Sequence, residues 1–115
     1  DYLTRLDAYT FHEGFAHLLS YQATEIDCVD WHTPQLTEVA AASRAKLRLA
    51  LTETDPDRQK QFLEEAVCGS YYEKFACMCG MLYLADRWET QGIDGLQSAF
   101  ADYHGFAQRA LSIRI

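Results

Sequence analysis

An all-α fold is the class this chain predicts, on three observations: apolar residues recur at helical spacing nearly throughout, no stretch alternates with period two, and helix-start signals recur along the sequence. The first helix runs roughly from Tyr2 to Ala23 and is apolar on more than one face, which marks a central helix that its neighbours wrap. The segment from Ala23 to Thr33, carrying Asp27, Cys28, Asp30, Trp31 and His32, reads as a loop. Thr33-Pro34 ends it with an N-cap and a proline at the first helical position.

In the second helix Leu36, Val39, Ala40, Ser43, Leu47, Ala50 and Leu51 trace the inner face, while Glu38, Arg44, Lys46 and Arg48 take the wet side. Asp55-Pro56 repeats the start signal for a short third helix, whose buried face is Phe62, Leu63, Ala66 and Val67 and which Gly69 is placed to stop. Ser70-Tyr71-Tyr72-Glu73 matches a capping box, in which serine and glutamate side chains satisfy free amides at a helix start, so a fourth helix begins here. Tyr72, Phe75, Ala76, Cys79, Leu82, Tyr83 and Asp86 line one side of it, Lys74, Cys77 and Arg87 the other, and Gly92 closes it. Asp94-Gly95-Leu96-Gln97 offers a second box, from which a fifth helix continues through Ala99, Phe100, Tyr103, Ala107, Ala110 and Leu111, bent at Gly105. Five helices of this length make an orthogonal or bundle-like array, read as one domain over residues 1–115.

Composition narrows the function. A chain of 115 residues, 49% hydrophobic, is long enough to bury a core without disulfides or metal as staples, so a bound metal would serve function rather than folding. Ten basic and 17 acidic residues leave a net charge of −7, the wrong sign for a protein whose affinity comes from phosphate contacts, which argues against nucleic acid as a partner. No apolar run reaches membrane-spanning length and no signal-peptide pattern opens the chain, so no membrane role is expected. The start at Asp1 instead of Met points to processing or to excision from a longer protein. Cys77 and Cys79, two apart in a helix, point about 200° apart and neither pair with each other nor share a metal. Together with Cys28 and Cys68 they read as buried thiols of a reducing compartment, the cytoplasm.

The stretch His12-Glu13-Gly14-Phe15-Ala16-His17 sets two imidazoles and a carboxylate inside an apolar run. Zinc peptidases use histidines four apart so that both reach one ion from one helix face, with the glutamate as general base. Here they are five apart, which in a regular helix separates the side chains by about 140°. One residue accommodated as a π-bulge restores the alignment, and Gly14 lies where that distortion costs least. A catalytic zinc needs a third protein ligand, for which Glu64, Glu65 and Glu73 are candidates. Glu65 leads, beside the inward Ala66 and Val67, while Glu73 is already accounted for by the capping box.

His12 to His17 resembles the H-E-x-x-x-H helix of the dipeptidyl peptidase III family of zinc peptidases, whose histidines bind zinc and whose glutamate activates water. That family takes its third ligand from the second glutamate of an E-E-C-x-x-E motif. Glu64-Glu65-Ala66-Val67-Cys68-Gly69 matches the paired glutamates, but neither the cysteine position nor the closing glutamate, and Ala16 replaces the family's glycine before the second histidine. The likeness covers twelve residues and extends more broadly to the gluzincin class, including small bacterial zinc-dependent peptidases. It implies zinc on His12, His17 and Glu65, with Glu13 taking a proton from the bound water as it attacks a peptide carbonyl. Tyr71, Tyr72 and His104 are candidate oxyanion donors. One small domain gives little room for both walls of a cleft, so the second wall would come from another subunit, in a homo-oligomer, or from sequence beyond these residues. Cys28 and His32, four apart, are a weaker ligand pair in the loop.

The rival reading is a helical structural or protein-interaction domain without metal, in which His12 and His17 are structural and ordinary i to i+4 geometry runs through Gly14. A third is a domain that binds zinc without turning over substrate.

Overall fold

The structure is a computed structural model that describes residues 1–21 and 34–112. Its helices are α1 (Tyr2–Tyr21), α2 (Pro34–Thr52), α3 (Pro56–Val67), α4 (Phe75–Gln91), α5 (Ile93–Ala101) and α6 (Phe106–Ala110), with one 3₁₀ turn at Tyr71–Glu73 and no strand among the described residues. The predicted all-α class holds. The loop expected between Ala23 and Thr33 falls outside the described residues.

The central helix is α4, not α1. From Phe75 to Leu82 every residue of α4 is buried, and Leu84 and Ala85 follow, because Phe, Ala, Cys, Met and Gly surround its first two turns and leave no polar face. The other five helices all lie against it in part. Cys77, set on the side of the helix opposite its apolar stripe, is therefore interior, as expected for a buried thiol, whereas Cys68, also read as buried, is exposed just past the end of α3. By contrast α1 is one-sided: Leu6, Asp7, Thr10, Phe11, Gly14, His17 and Leu18 are buried, while Thr4, Arg5, His12, Glu13 and Ala16 are exposed. Two apolar clusters share α4. One joins Phe11 and Leu18 to Leu36, Met81, Leu96 and Phe106, the other joins Leu6 to Leu47, Phe62, Phe75 and Ala110. Each fully buried Leu or Phe contributes about 1.5–3 kcal/mol.

α1 and α4 cross at a pair of glycines. A Cβ on Gly14 would sit 2.6 Å from the Cα of Gly80, and one on Gly80 would overlap the carbonyl oxygen of Thr10. Gly14 is thus fixed by close approach of two backbones. It does not open a π-bulge, since α1 is α-helical without interruption.

Helix ends are closed across the fold. The buried Asp7 accepts from the amides of Gly105 at 2.8 Å and Ala107 at 3.0 Å, capping the start of α6 from a position 98 residues earlier. Arg44, expected on the wet side of α2, instead donates to the carbonyl of Leu111 at 3.0 Å. The Tyr2 hydroxyl donates to the carbonyl of Ala50 at 2.6 Å, near the end of α2. Asp55 caps α3 as predicted, accepting from the amide of Arg58.

Both predicted capping boxes differ in detail. Ser70 donates to the carboxylate of Glu73 at 2.6 Å, so the two side chains meet each other over a single 3₁₀ turn, and α4 starts afterwards at Phe75. The second box lies inside α5, which already starts at Ile93 behind Gly92 (φ +62°). The expected fifth helix is two helices: Gly105 is left-handed (φ +74°), and Arg109 ties the turn by donating to the carbonyls of Asp102 and His104 at 2.9 and 2.8 Å.

Candidate functional site

The H-E-x-x-x-H residues sit in the middle of α1, where regular helical geometry fixes their directions. The buried stripe Leu6, Thr10, Gly14 and Leu18 advances four residues at a time and faces the core, with His17 three residues beyond Gly14. His17 belongs to that stripe and is only 7% exposed. His12 lies about 140° round the helix from it and is exposed. The His12 ring contacts the Phe11 and Tyr103 rings edge-on, with centroids 5.0 and 5.1 Å away. Glu13 is exposed, yet its charge reaches inward: burial, with the Glu13 carboxylate adding to it, pushes the Cys77 thiol up to about 11.

Glu65 projects from α3 toward α2. One carboxylate oxygen pairs with the Lys46 ammonium and the other accepts from the Gln61 amide at 2.8 Å. These partners, Lys46 foremost, lower its pKa. Glu64 is exposed, and Glu73 is exposed and engaged by Ser70. Tyr72 is half-buried against the core, His104 is exposed in the turn before α6, and the Tyr71 side chain, like Cys28 and His32, lies outside the described residues. His12 and His17 thus leave opposite sides of one helix, and Glu65 is held by α2 and α3. Among the described residues no three His, Cys, Asp or Glu side chains gather as a metal-holding group.

The chemistry available along α1 is therefore divided. His17 and Asp7 are interior polar groups, the latter spent on two amide hydrogen bonds, while His12 and Glu13 face outward as separate surface groups. The described cysteines Cys77 and Cys79 are buried, and burial pushes Cys79 up to about 12 against the opposing pull of Arg44 and Arg48. Neither has the lowered pKa of a nucleophilic thiol.

The groups that sequence reasoning missed are the long-range ones. Asp7 gave no local signal, since its partners are almost a chain length away. Gly80 did leave one: a glycine inside an apolar helix costs about 1 kcal/mol relative to alanine, which suggests a packing reason for its presence.

The surface is marked elsewhere by a groove between α2 and α3, about 360 Å³, lined by Ala42, Ala45, Lys46 and Leu49 on one side and Arg58, Gln61, Phe62 and Glu65 on the other. Leu49 is 62% exposed there. No helix among the described residues is long and apolar enough to cross a membrane. No protein family, curated protein or solved structure matches the chain.

Proposed function

We propose that this chain is a helical protein-interaction domain whose H-E-x-x-x-H residues serve packing and surface rather than metal-dependent hydrolysis. The observation that weighs against a shared metal is the unbroken α-helical path of α1 through Gly14, which sends His17 into the core and His12 and Glu13 into solvent, and the one that favours a partner surface is the α2–α3 groove with its exposed Leu49. Two further features support it. Gly14 is accounted for by the crossing with Gly80, and Glu65 by Lys46 and Gln61. A gluzincin site requires two imidazoles and a carboxylate converging within coordination distance of one ion, with a fourth position open to water. The peptidase expectation, with zinc on His12, His17 and Glu65 and Glu13 as base, rests on a likeness of two six-residue stretches in which His12, Glu13, His17, Glu64 and Glu65 match the motifs.

The test is zinc content and peptidase activity of protein purified without added metal, compared with His12→Ala and His17→Ala. Interaction-domain chemistry predicts no stoichiometric zinc and no hydrolysis that depends on Glu13. Near one equivalent of zinc, lost in both variants, would restore the peptidase reading.

A further inference from the structure

A polar cavity of about 330 Å³ lies between α4, α5 and α6 and shares no lining residue with the α1 motif or the α2–α3 groove. Its size falls at the lower end of the range for small-molecule sites. Tyr83, Arg87 and Gln91 line it from successive turns of α4, Ser98 from α5, Asp102 from the end of α5 and Arg109 from α6. Gly95 brings the walls together. A Cβ there would come 2.7 Å from the carbonyl oxygen of Arg87, so the bare glycine lets α5 lie against the end of α4 and sets Ser98, one turn on, at the cavity.

Aromatic rings buttress both arginines. Arg87 Cζ is 5.6 Å from the Tyr83 centroid, Arg109 Cζ is 5.8 Å from that of Phe106, and the two rings meet edge-on with centroids 5.2 Å apart. One continuous run of side-chain contacts therefore presents two guanidiniums to one cavity.

Neither guanidinium is spent. Arg109 donates to the carbonyls of His104 and Asp102, which fix its plane without cancelling its charge, and it makes no ion pair among the described residues. Arg87 donates from Nη2 to Asp86 at 3.0 Å, in a pair whose side chains are 32% and 29% exposed and which solvent therefore screens. Asp86 does not line the cavity, and Arg87 Nε is buried with no partner. Arg87 is thus under-satisfied, and an acceptor in the cavity relieves it at Nη1. The Gln91 amide and the Ser98 and Tyr83 hydroxyls beside it are likewise without hydrogen-bond partners in the described fold. Asp102 is the single carboxylate of the wall. Its Oδ1 accepts from the His104 amide at 2.9 Å and its Oδ2 is left as an acceptor. Two positive charges against one negative set this cavity apart on a chain whose net charge is −7.

We propose that the α4–α5–α6 cavity binds a small oxyanion that carries a hydroxyl, with the anionic group on Arg87 and Arg109 and the hydroxyl donating to Asp102. Guanidiniums match the planar spread of carboxylate and phosphate oxygens, and Ser98 and Gln91 supply the neutral donors around them. The site is independent of the interaction surface between α2 and α3 and adds a ligand class to it.

The probes are glycerate and glycerol phosphate, with propionate as the anion lacking hydroxyls and glycerol as the hydroxyl compound lacking the anion. Each is titrated into the full chain at constant ionic strength, with amide shifts and a binding isotherm recorded, and then into Arg87→Gln and Ser98→Ala. Arg109 is left intact because it ties the turn before α6. Glycerate or glycerol phosphate is expected to move the amides of Gly95, Ser98 and Arg109 saturably and to bind at least tenfold more tightly than glycerol and more tightly than propionate. Arg87→Gln is expected to weaken binding about tenfold and Ser98→Ala about threefold, as for loss of a charged and a neutral hydrogen bond. An unchanged circular dichroism spectrum verifies that both variants fold. The tighter of the two hydroxylated anions names the source, a carboxylate or a phosphate ester. No saturable shift at these amides, binding of glycerol or propionate equal to that of glycerate and glycerol phosphate, or a folded Arg87→Gln that binds unchanged overturns the proposal. None of these outcomes depends on zinc, so this site and the reading of the α1 motif fail separately.

Discussion

Replacing Gly14 with alanine separates two accounts of that glycine by the sign of one number. If Gly14 lay in α1 as a point of easy distortion, alanine would stabilise the helix by about 1 kcal/mol, the usual difference in helix propensity. In the structure the added Cβ would meet Gly80 Cα at 2.6 Å, Gly80 C at 2.7 Å and Met81 N at 2.9 Å. All three are backbone atoms of the central helix, so no side-chain rotation relieves the contact and α1 and α4 must part. Overpacking of this kind costs about 1–3 kcal/mol, occasionally more, and exceeds the propensity gain. Gly14→Ala is therefore expected to lose about 1–2 kcal/mol, a fall in Tm of about 5–10 °C for a domain of this size. Gly80→Ala, where the overlap with Thr10 is more severe, should lose more. Urea unfolding followed by circular dichroism gives the free energies, and the double variant should lose less than the two single losses together, because helices already parted by one methyl accommodate the second. A neutral or stabilising Gly14→Ala would refute the crossing.

Asp7→Ala removes the acceptor of two amides at the start of α6, that of Ala107 buried and that of Gly105 half-buried, and should cost about 2 kcal/mol, measured by the same unfolding assay. Substituting the two motif histidines should give unequal results: His17→Ala destabilises by about 2 kcal/mol as a buried side chain lost from the α1 core stripe, whereas exposed His12→Ala stays within about 0.5 kcal/mol. Thiol labelling of native protein at pH 8, mapped by peptide mass, should modify Cys68, which is exposed, and spare Cys77 and Cys79. The same two thiols make stability depend on alkaline pH. The unfolded chain releases their protons near the usual thiol value, 9.0, while the folded chain holds them to about 11 and about 12. The stability they contribute is therefore complete below pH 9 and is lost as pH rises through that window, at up to about 1.4 kcal/mol per unit per thiol. Cys79→Ala should flatten the decline.

The sequence was most legible where one helix decides its own fate. The inner stripe of α2 appears as predicted, with Leu36, Ala40, Ser43, Leu47 and Ala50 buried, because a period of 3.6 needs no knowledge of the partner. Asp55-Pro56 likewise starts α3, since a cap and a proline act locally. Rank within the fold was less legible. α1 and α4 are both rich in apolar residues, and only the confinement of polar residues to one face of α1 shows that α4 is the enclosed helix. The capping boxes misled because Ser70 and Glu73 bond each other, and because α5 begins two residues before the position its motif implied. Contacts across the chain, such as Asp7 with Ala107 or Arg44 with Leu111, leave no periodic trace at all.

At the candidate site the sequence exposed a conflict that the fold addresses. Five-residue spacing and a regular helix together set His12 and His17 about 140° apart, and the expectation of a shared metal needed a π-bulge that α1 does not contain. The closest reading of the site in solution comes from the imidazole nitrogen resonances of His12 and His17 during addition of zinc to the metal-free chain. The present account predicts that His17 does not respond at one equivalent and that His12 shifts only weakly, at excess metal, as an isolated surface histidine. A simultaneous shift of both rings, saturating at one equivalent and abolished by either histidine substitution, would contradict it.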